Sequence, residues 1–158
     1  MPRKPRFYLP GIPVHPVQRG NNRQAVFFDA ADYQAYRNWL EKDENRYGFA
    51  IHAYVFMTNH THLLLRTGAT PISAVMRRLL TGHAIYFNRR HRRYGHLFQN
   101  RYKSILCQEE TYLLELVRYI HLNPVRSGMV TEPKQLDSHR YTGHGLILGN
   151  RRFECQDV

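Results

Sequence analysis

The stretch Asn59-His60-Thr61-His62-Leu63-Leu64-Leu65 predicts a β-strand over 60–66. Side chains alternate across a strand, so His60 and His62 should share one face while Thr61 points into the core on the other. Two imidazoles on one face of a rigid element supply half of a metal site. The chain has ten histidines among its 158 residues, so such a pair also arises by chance. The alternative is a pair of ordinary surface or stacking histidines.

The segments on either side of this strand predict further strands and helices. A strand over 49–57 precedes it so closely that the two should form an antiparallel hairpin. Strands are also expected over 12–18 and 96–107, and helices over 30–46, from Pro71 onward and over about 109–123. The order β-α-β-β-α-β-α is typical of an α+β fold with a ferredoxin-like antiparallel sheet, helices on one face and an added C-terminal helix.

Local signals place the starts of the first two helices. Asp29 should cap the first helix. Pro71 is expected at the first helical position of the second, where the missing amide hydrogen costs nothing. The apolar stripe of that second helix is predicted to run from Ile72 to Ile85/Tyr86.

The length and composition predict one intracellular domain. We expect a single domain over 1–158, with a basic N-terminal arm over 1–11 and a weakly structured C-terminal tail over about 131–158. Two cysteines, Cys107 and Cys155, are too few for a metal cluster or a disulfide framework. No run of apolar residues approaches the ~20 of a membrane span. A cytoplasmic, nucleoid-associated protein is therefore expected.

The charge predicts a polyanionic partner. Lys and Arg number 23 against 12 Asp and Glu, which gives a formal net charge of +11 and a pI near 10.1. Such an excess of basic over acidic residues is larger than solubility requires. Eleven tyrosines could offer flat surfaces on which unpaired bases stack. Nucleic acid is the predicted partner; a basic protein with many core tyrosines is the alternative.

The last predicted helix can supply the rest of a site. Tyr119 and Asn123 are four residues apart and are therefore neighbours on one helix face. Pro124 removes the amide that would bond back to Ile120, so the helix should bend or loosen there. Without further signals, Tyr119 could equally be a half-buried packing residue and Asn123 a hydrogen-bonding residue at a helix end.

Four motifs in order resemble a known family. Residues 59–64 (NHTHLL) and 118–130 (RYIHLNPVRSGMV) are similar to the REP-associated tyrosine transposases of bacteria, members of the single-tyrosine His-hydrophobic-His superfamily of single-strand DNA transposases and relaxases. Residues 15–21 (HPVQRGN) and 96–103 (HLFQNRYK) extend the resemblance. Thr61 departs from the pattern, since a hydrophobic residue is usual there. A β-branched threonine fits a strand and faces away from the predicted site.

The resemblance implies a metal-dependent strand transfer. His60 and His62 would bind a divalent cation, Mg²⁺ or Mn²⁺, with Asn123 as the third, oxygen ligand; imidazoles would also accept Zn²⁺. Tyr119 would be the nucleophile that attacks a DNA phosphodiester and forms a 5′-phosphotyrosine. Because a tyrosine hydroxyl has a reference pKa near 10, a cationic field and a metal on the phosphate would assist it. The expected substrate is a single-stranded DNA hairpin of the REP type, cleaved and rejoined without ATP.

Basic side chains are predicted to contact the DNA backbone, which positions a strand without reading its sequence. By resemblance, a monomer with its tyrosine in cis is favoured over a homodimer. The predicted DNA-contacting residues are Arg3, Lys4, Arg6, Arg19, Asn21, Arg77, Arg78, Arg89, Arg90, Arg92, Arg93, Arg101, Lys103, Arg118 and Arg126.

Two other functions remain open from the sequence. One is a non-catalytic single-strand nucleic-acid-binding module on the same fold, in which the histidines stack on bases. The other is a metal-dependent hydrolase that uses water, in which Tyr119 only orients the substrate. Formation of a covalent protein–DNA adduct distinguishes the transposase from both.

Overall fold

The computed structural model describes residues 11–107 and 110–126. The predicted tail over 131–158 and the arm, apart from Gly11, lie outside these residues. The elements in chain order are β1 (Pro13–Arg19), a 3-10 turn (Asn21–Arg23), α1 (Ala30–Tyr47), β2 (Ala50–Phe56), β3 (His60–Arg66), α2 (Ile72–Arg90), β4 (Lys103–Leu106), α3 (Glu110–His121) and α4 (Asn123–Arg126).

The strands form one antiparallel sheet in the order β2-β3-β1-β4. This arrangement confirms the predicted α+β fold with a ferredoxin-like sheet. Strand β3 lies in the interior of the sheet, between β2 and β1. In the β1–β3 register Val17 pairs with His62 and Arg19 with His60, which brings the N-terminal strand beside the histidine pair.

Helices α1 and α2 cover one face of the sheet and enclose the main core. Thr61 lies on this face, as predicted, and its Oγ1 is 3.1 Å from the hydroxyl of Tyr36 on α1. Leu63 and Leu65 of β3 are fully buried on the same face. The side of β3 that faces the helices is therefore set by Thr61, Leu63 and Leu65, and His60 and His62 must point the other way.

Helix α3 packs on the opposite face. Its Ile120 is fully buried against Val55 and Leu64, with Leu113 and Leu116 partly buried beside it. The added C-terminal helix is thereby confirmed. It places the last described part of the chain on the face to which the histidines belong.

The observed helix ends test the predictions made from local sequence signals. Asp29 caps α1 through a hydrogen bond from the Asp32 amide, at 3.2 Å. Pro71 is the N-cap of α2 with extended backbone, so the prediction that it occupies the first helical position is wrong by one residue. Ile85 is 52% exposed and does not belong to the buried stripe, which continues through Gly82 instead.

Two predicted elements are shorter than expected. Only Lys103–Leu106 of the predicted strand over 96–107 is a strand, because the preceding loop is broken at Asn100, whose φ of 50° is incompatible with extended backbone. The last helix ends at His121, and the short helix α4 starts at Asn123. The predicted bend before Pro124 is confirmed. Within the described residues no helix is both long and apolar enough to cross a membrane.

Candidate functional site

The candidate site is built on the face of β3 covered by α3. The imidazole rings of His60 and His62 lie edge to face with their centroids 5.1 Å apart. His62 is 5% exposed and His60 is half-buried. Arg19, which pairs with His60 across the sheet, is exposed. The predicted pair is therefore brought together at a rigid position with one open side.

Hydrogen bonds fix which ring nitrogen each histidine presents. The Oδ1 of Asn59 is 2.7 Å from Nδ1 of His60, so this nitrogen carries the proton and donates to the amide oxygen. Nε2 of His60 then keeps its lone pair, which the side chain of Asn123 approaches. Hydrogen bonds of this kind hold metal-binding histidines in the correct tautomer in other proteins. The short turn before β3 thus fixes the tautomer of His60 that a metal bound at Nε2 would require.

His62 is held by a third histidine from β1. Nε2 of His15 is 3.1 Å from Nδ1 of His62, and the two rings are stacked with centroids 5.3 Å apart. Since Nε2 of His62 accepts a bond from Asn123, the proton of His62 is on Nδ1 and points to His15. His15 is 5% exposed. Sequence reasoning noted His15 only as part of a motif and missed this contact.

Burial keeps the three imidazoles neutral. It lowers the pKa of His15 to about 4. It also lowers the pKa of His60 to about 4, with help from the charge of Arg19. Burial, followed by the neighbouring His15 and His60, lowers the pKa of His62 to about 3. Neutral imidazoles are the form that binds metal ions, so the site is ready for a cation at neutral pH.

The junction between α3 and α4 completes the arrangement. Nδ2 of Asn123 is 3.1 Å from Nε2 of His62. The ring of Tyr119, one helical turn earlier, lies 6.0 Å from the His62 ring and 6.5 Å from the His15 ring, centroid to centroid. Tyr119 is 44% exposed. The structure therefore brings Tyr119 and Asn123 of one chain against its own histidine pair.

Arg126 on α4 holds the tyrosine from the outer side. Its guanidinium carbon lies 3.9 Å from the centroid of the Tyr119 ring, within the range of a cation–π contact. Its Nη2 also donates a hydrogen bond to the backbone carbonyl of Tyr119. Arg126 lies seven residues after Tyr119, about two helical turns along the chain, and the backbone bond from the Arg126 amide to the Leu122 carbonyl keeps it near the end of α3. A positive charge thus stands beside the exposed tyrosine.

The residues present fit a divalent cation. Nε2 of His60 and Nε2 of His62 carry lone pairs on one side, and the carboxamide of Asn123 reaches the same place. The amide nitrogen and oxygen occupy equivalent positions, so a half-turn of the Asn123 side chain presents the oxygen instead. Among the described residues no group of three His, Cys, Asp or Glu side chains forms a metal site. A cation here would therefore depend on the asparagine.

Three of the predicted DNA-contacting arginines form ion pairs or hydrogen bonds with polar side chains inside the protein, in addition to Arg126, which contacts Tyr119. Arg78 forms an ion pair with the buried Asp43 at 2.9 Å. Arg90 pairs with Asp29 at 2.5 Å and with Asp32 at 2.8 Å, which ties the end of α2 to the start of α1.

Arg93 donates to Gln24 and Asn88. Arg3, Lys4 and Arg6 lie outside the described residues. The other predicted positions are exposed, except the half-buried Asn21, and contact with DNA remains a prediction for them: Arg19, Arg77, Arg89, Arg92, Arg101, Lys103, Arg118 and Arg126.

Comparisons with known proteins agree with this geometry. The family model described as "Transposase IS200 like" matches residues 9–123. Among solved structures, a REP-associated tyrosine transposase bound to a REP hairpin has a TM-score of 0.77 at 17% sequence identity, with 100% of this chain and 98% of that chain covered. A candidate transposase from Deinococcus radiodurans R1 has a TM-score of 0.51 at 20% identity, with 75% of this chain and 95% of that chain covered.

No curated protein sequence matches the chain. At these identities the two solved structures show the shared fold, and the family model covers most of the sequence, including the histidine pair, Tyr119 and Asn123. The chain belongs to the IS200-like transposases, a family of DNA-cleaving enzymes.

Proposed function

We propose that this protein cleaves and rejoins single-stranded DNA through a covalent bond to Tyr119. The observation that carries the proposal is the position of the Tyr119 ring, 6.0 Å from His62 and on the same short segment as Asn123. When the nucleophile is already held beside the groups that bind the reacting phosphate, the two reacting atoms do not have to meet by diffusion, and the reaction is faster. The exposure of Tyr119 leaves its hydroxyl accessible to a strand.

The proposed step is a transesterification. The Tyr119 oxygen attacks the phosphorus of a phosphodiester, the bond from phosphorus to the 3′ oxygen breaks, and a 5′-phosphotyrosine forms. The phenolic proton is lost and the departing 3′ oxygen gains one, so the step is balanced. A second 3′-hydroxyl can reverse it, because the covalent bond to Tyr119 preserves the reactive phosphodiester.

His60, His62 and Asn123 would hold Mg²⁺ or Mn²⁺ in this mechanism. When bound, the cation would polarise the scissile phosphate and offset the charge that develops on it. The chain itself orients the two imidazoles through Asn59 and His15, and it brings the asparagine to them on α4. Arg126, stacked on Tyr119, would add positive charge beside the phosphate.

The proposed substrate is a DNA hairpin with unpaired flanks. The solved transposase with the same fold is bound to a REP hairpin. Exposed basic residues on this chain, among them Arg19, Arg77 and Arg101, would neutralise its phosphates. We propose that a monomer suffices, because Tyr119 and His62 of the same chain already lie together.

A covalent adduct assay tests the proposal. The protein is incubated with a labelled single-stranded hairpin oligonucleotide and Mn²⁺, and the products are separated in SDS. We expect an SDS-stable protein–DNA band that Tyr119→Phe abolishes. Tyr94→Phe is the matched control, because Tyr94 is 96% exposed and is not part of the site. An adduct that survives Tyr119→Phe contradicts the nucleophile assignment.

The same assay separates the other two functions. Cleavage without an adduct would indicate a hydrolase in which water attacks and Tyr119 only orients the strand. Binding without cleavage over a broad panel of oligonucleotides would indicate a non-catalytic module. His60→Ala should abolish cleavage and retain DNA binding, since it removes a proposed ligand and leaves the basic surface unchanged.

A further inference from the structure

A cavity on the other face of the sheet has no role in the mechanism above. It lies between α2 and the loop that precedes β4, and its volume is about 460 Å³. This volume falls within the range of sites that bind small organic groups. Its walls combine two exposed arginines, Arg77 and Arg101, with two aromatic rings, Phe98 and Tyr102, and with Gln18 of β1.

Gln18 offers this cavity a buried acceptor. The side chain is 2% exposed, and its Nε2 donates to the backbone carbonyls of Arg19 at 3.0 Å and Gln99 at 3.1 Å. Two carbonyl partners require an NH₂ group at this end, so the other end must be the oxygen. That Oε1 is buried and has no hydrogen-bond partner in the described part of the chain. A buried oxygen of this kind needs an N–H or O–H donor.

A second, smaller cavity connects this place to the catalytic face. Its volume is about 150 Å³, and it shares Gln18 and Arg101 with the larger cavity. Its other walls include Val17 and Arg19, which alternate with Gln18 along β1 and therefore belong to the histidine face. The chain beside β1 is interrupted here: β4 pairs with β1 only as far as Val17, and backbone pairing resumes where the Gln99 amide donates to the Arg19 carbonyl. The smaller cavity lies at this interruption.

We propose that the larger cavity binds one unpaired base of the DNA strand held at Tyr119. The base lies against the aromatic wall, its flanking phosphates meet Arg77 and Arg101, and an amino group of the base donates to Oε1 of Gln18. The proposal rests on the proposed function, since it assigns part of the same substrate.

The chemistry of Gln18 selects among the bases. Its NH₂ group is already used by two carbonyls, so only the acceptor Oε1 remains for a ligand. Adenine, cytosine and guanine carry an exocyclic amine that can donate. The only donor of thymine is its ring N–H, which lies between two carbonyl oxygens, and the repulsion between these oxygens and Oε1 weakens the hydrogen bond. The cavity should therefore discriminate against thymine, whereas a cavity that holds only water would show no base preference.

Equilibrium binding of homopolymers tests this inference. Fluorescent dC and dT oligonucleotides of equal length are titrated with the full chain in EDTA, so that the outcome is independent of cleavage. One neutral hydrogen bond should favour dC over dT by about 3- to 10-fold. Gln18→Met should reduce the ratio to about one. Gln34→Met is the matched control, because its side chain is exposed on α1 and lines neither cavity.

A second variant covers the case in which Gln18→Met does not fold. Thr81 is exposed on α2 and lines the cavity, so Thr81→Trp should fill the cavity without disturbing the core. It should also abolish the preference for dC. Equal binding of dC and dT by the unmodified protein, or a preference unchanged in both variants, would overturn the inference. The adduct assay at Tyr119 reports separately on the proposed function.

Discussion

Replacing His15 with phenylalanine removes the support of one proposed metal ligand while the ring volume stays nearly the same. The substitution deletes the acceptor that lies 3.1 Å from Nδ1 of His62. Nδ1 of His62 then has no hydrogen-bond partner, and only the contact between Nε2 and Asn123 still orients the ring. Mutating such supporting groups in metalloproteins lowers metal affinity by about 10- to 100-fold. That range corresponds to about 1.4 to 2.7 kcal/mol of binding free energy.

The same substitution should cost less in stability than in metal binding. His62 is left with a buried, unpaired N–H, which costs about 1–3 kcal/mol. Burying phenylalanine in place of the polar imidazole of His15 offsets part of this. The net loss should be about 1 kcal/mol, or a few degrees in Tm. His15→Gln keeps an acceptor near the same position and should recover part of the metal affinity.

Calorimetric titration with Mn²⁺ measures the effect on the protein without DNA. Ile51→Val is the matched control, because it lowers stability by about 0.5–1.5 kcal/mol from the core on the other face of the sheet. Its affinity for Mn²⁺ should equal that of the unmodified protein. A folded His15→Phe protein with unchanged affinity for Mn²⁺ would refute the role of His15 in orienting His62.

Three substitutions on the side of the sheet covered by α1 and α2 should change the free energy of unfolding, which urea denaturation measures. Gly82→Ala puts a methyl group 2.5 Å from the Trp39 ring. Overpacking costs about 1–3 kcal/mol and exceeds the helix-propensity gain of about 1 kcal/mol, so the free energy of unfolding should fall by about 1 kcal/mol. An increase in stability would contradict this packing. Thr61→Val leaves the buried hydroxyl of Tyr36 unpaired and should cost about 1–3 kcal/mol, whereas Thr61→Ser should cost less. Burial lowers the pKa of His83 below its usual 6.5. Below pH 6.5 the imidazole is therefore protonated in the unfolded chain but neutral in the folded one, and the contribution of this group lowers the free energy of unfolding by up to about 1.4 kcal/mol per pH unit. His83→Phe should therefore flatten the dependence of stability on pH in this range, and an equal slope in both proteins would refute the assignment.

The sequence was sufficient where the decisive signals are local. The bounds predicted for β3 match the structure, because alternation over a few residues determines which side chains face the core. The cap at Asp29 and the break before Pro124 were predictable for the same reason. Local chemistry alone determines these features, so no knowledge of the partner elements is needed.

Contacts between distant segments could not be predicted in this way. The bond from His15 to His62 depends on the register of β1 against β3, across 47 positions of sequence. Arg90 was assigned to DNA because it lies in a basic run, whereas its partners Asp29 and Asp32 are 61 and 58 positions away in sequence and are brought to it by the packing of α1 on α2. The sequence shows that a run of residues is basic, but only the fold shows which acidic side chains form ion pairs with it.

The hydrogen bond between Thr61 and Tyr36 holds β3 in the register that places both histidines on the face opposite the main core. Because side chains alternate along a strand, a slip of β3 by one residue would turn both histidines toward α1 and α2 and would turn Leu63 away from the main core toward α3. Such a chain would lose its core and the proposed cation site in the same event. The register that buries the core is therefore also the register on which the proposed chemistry depends.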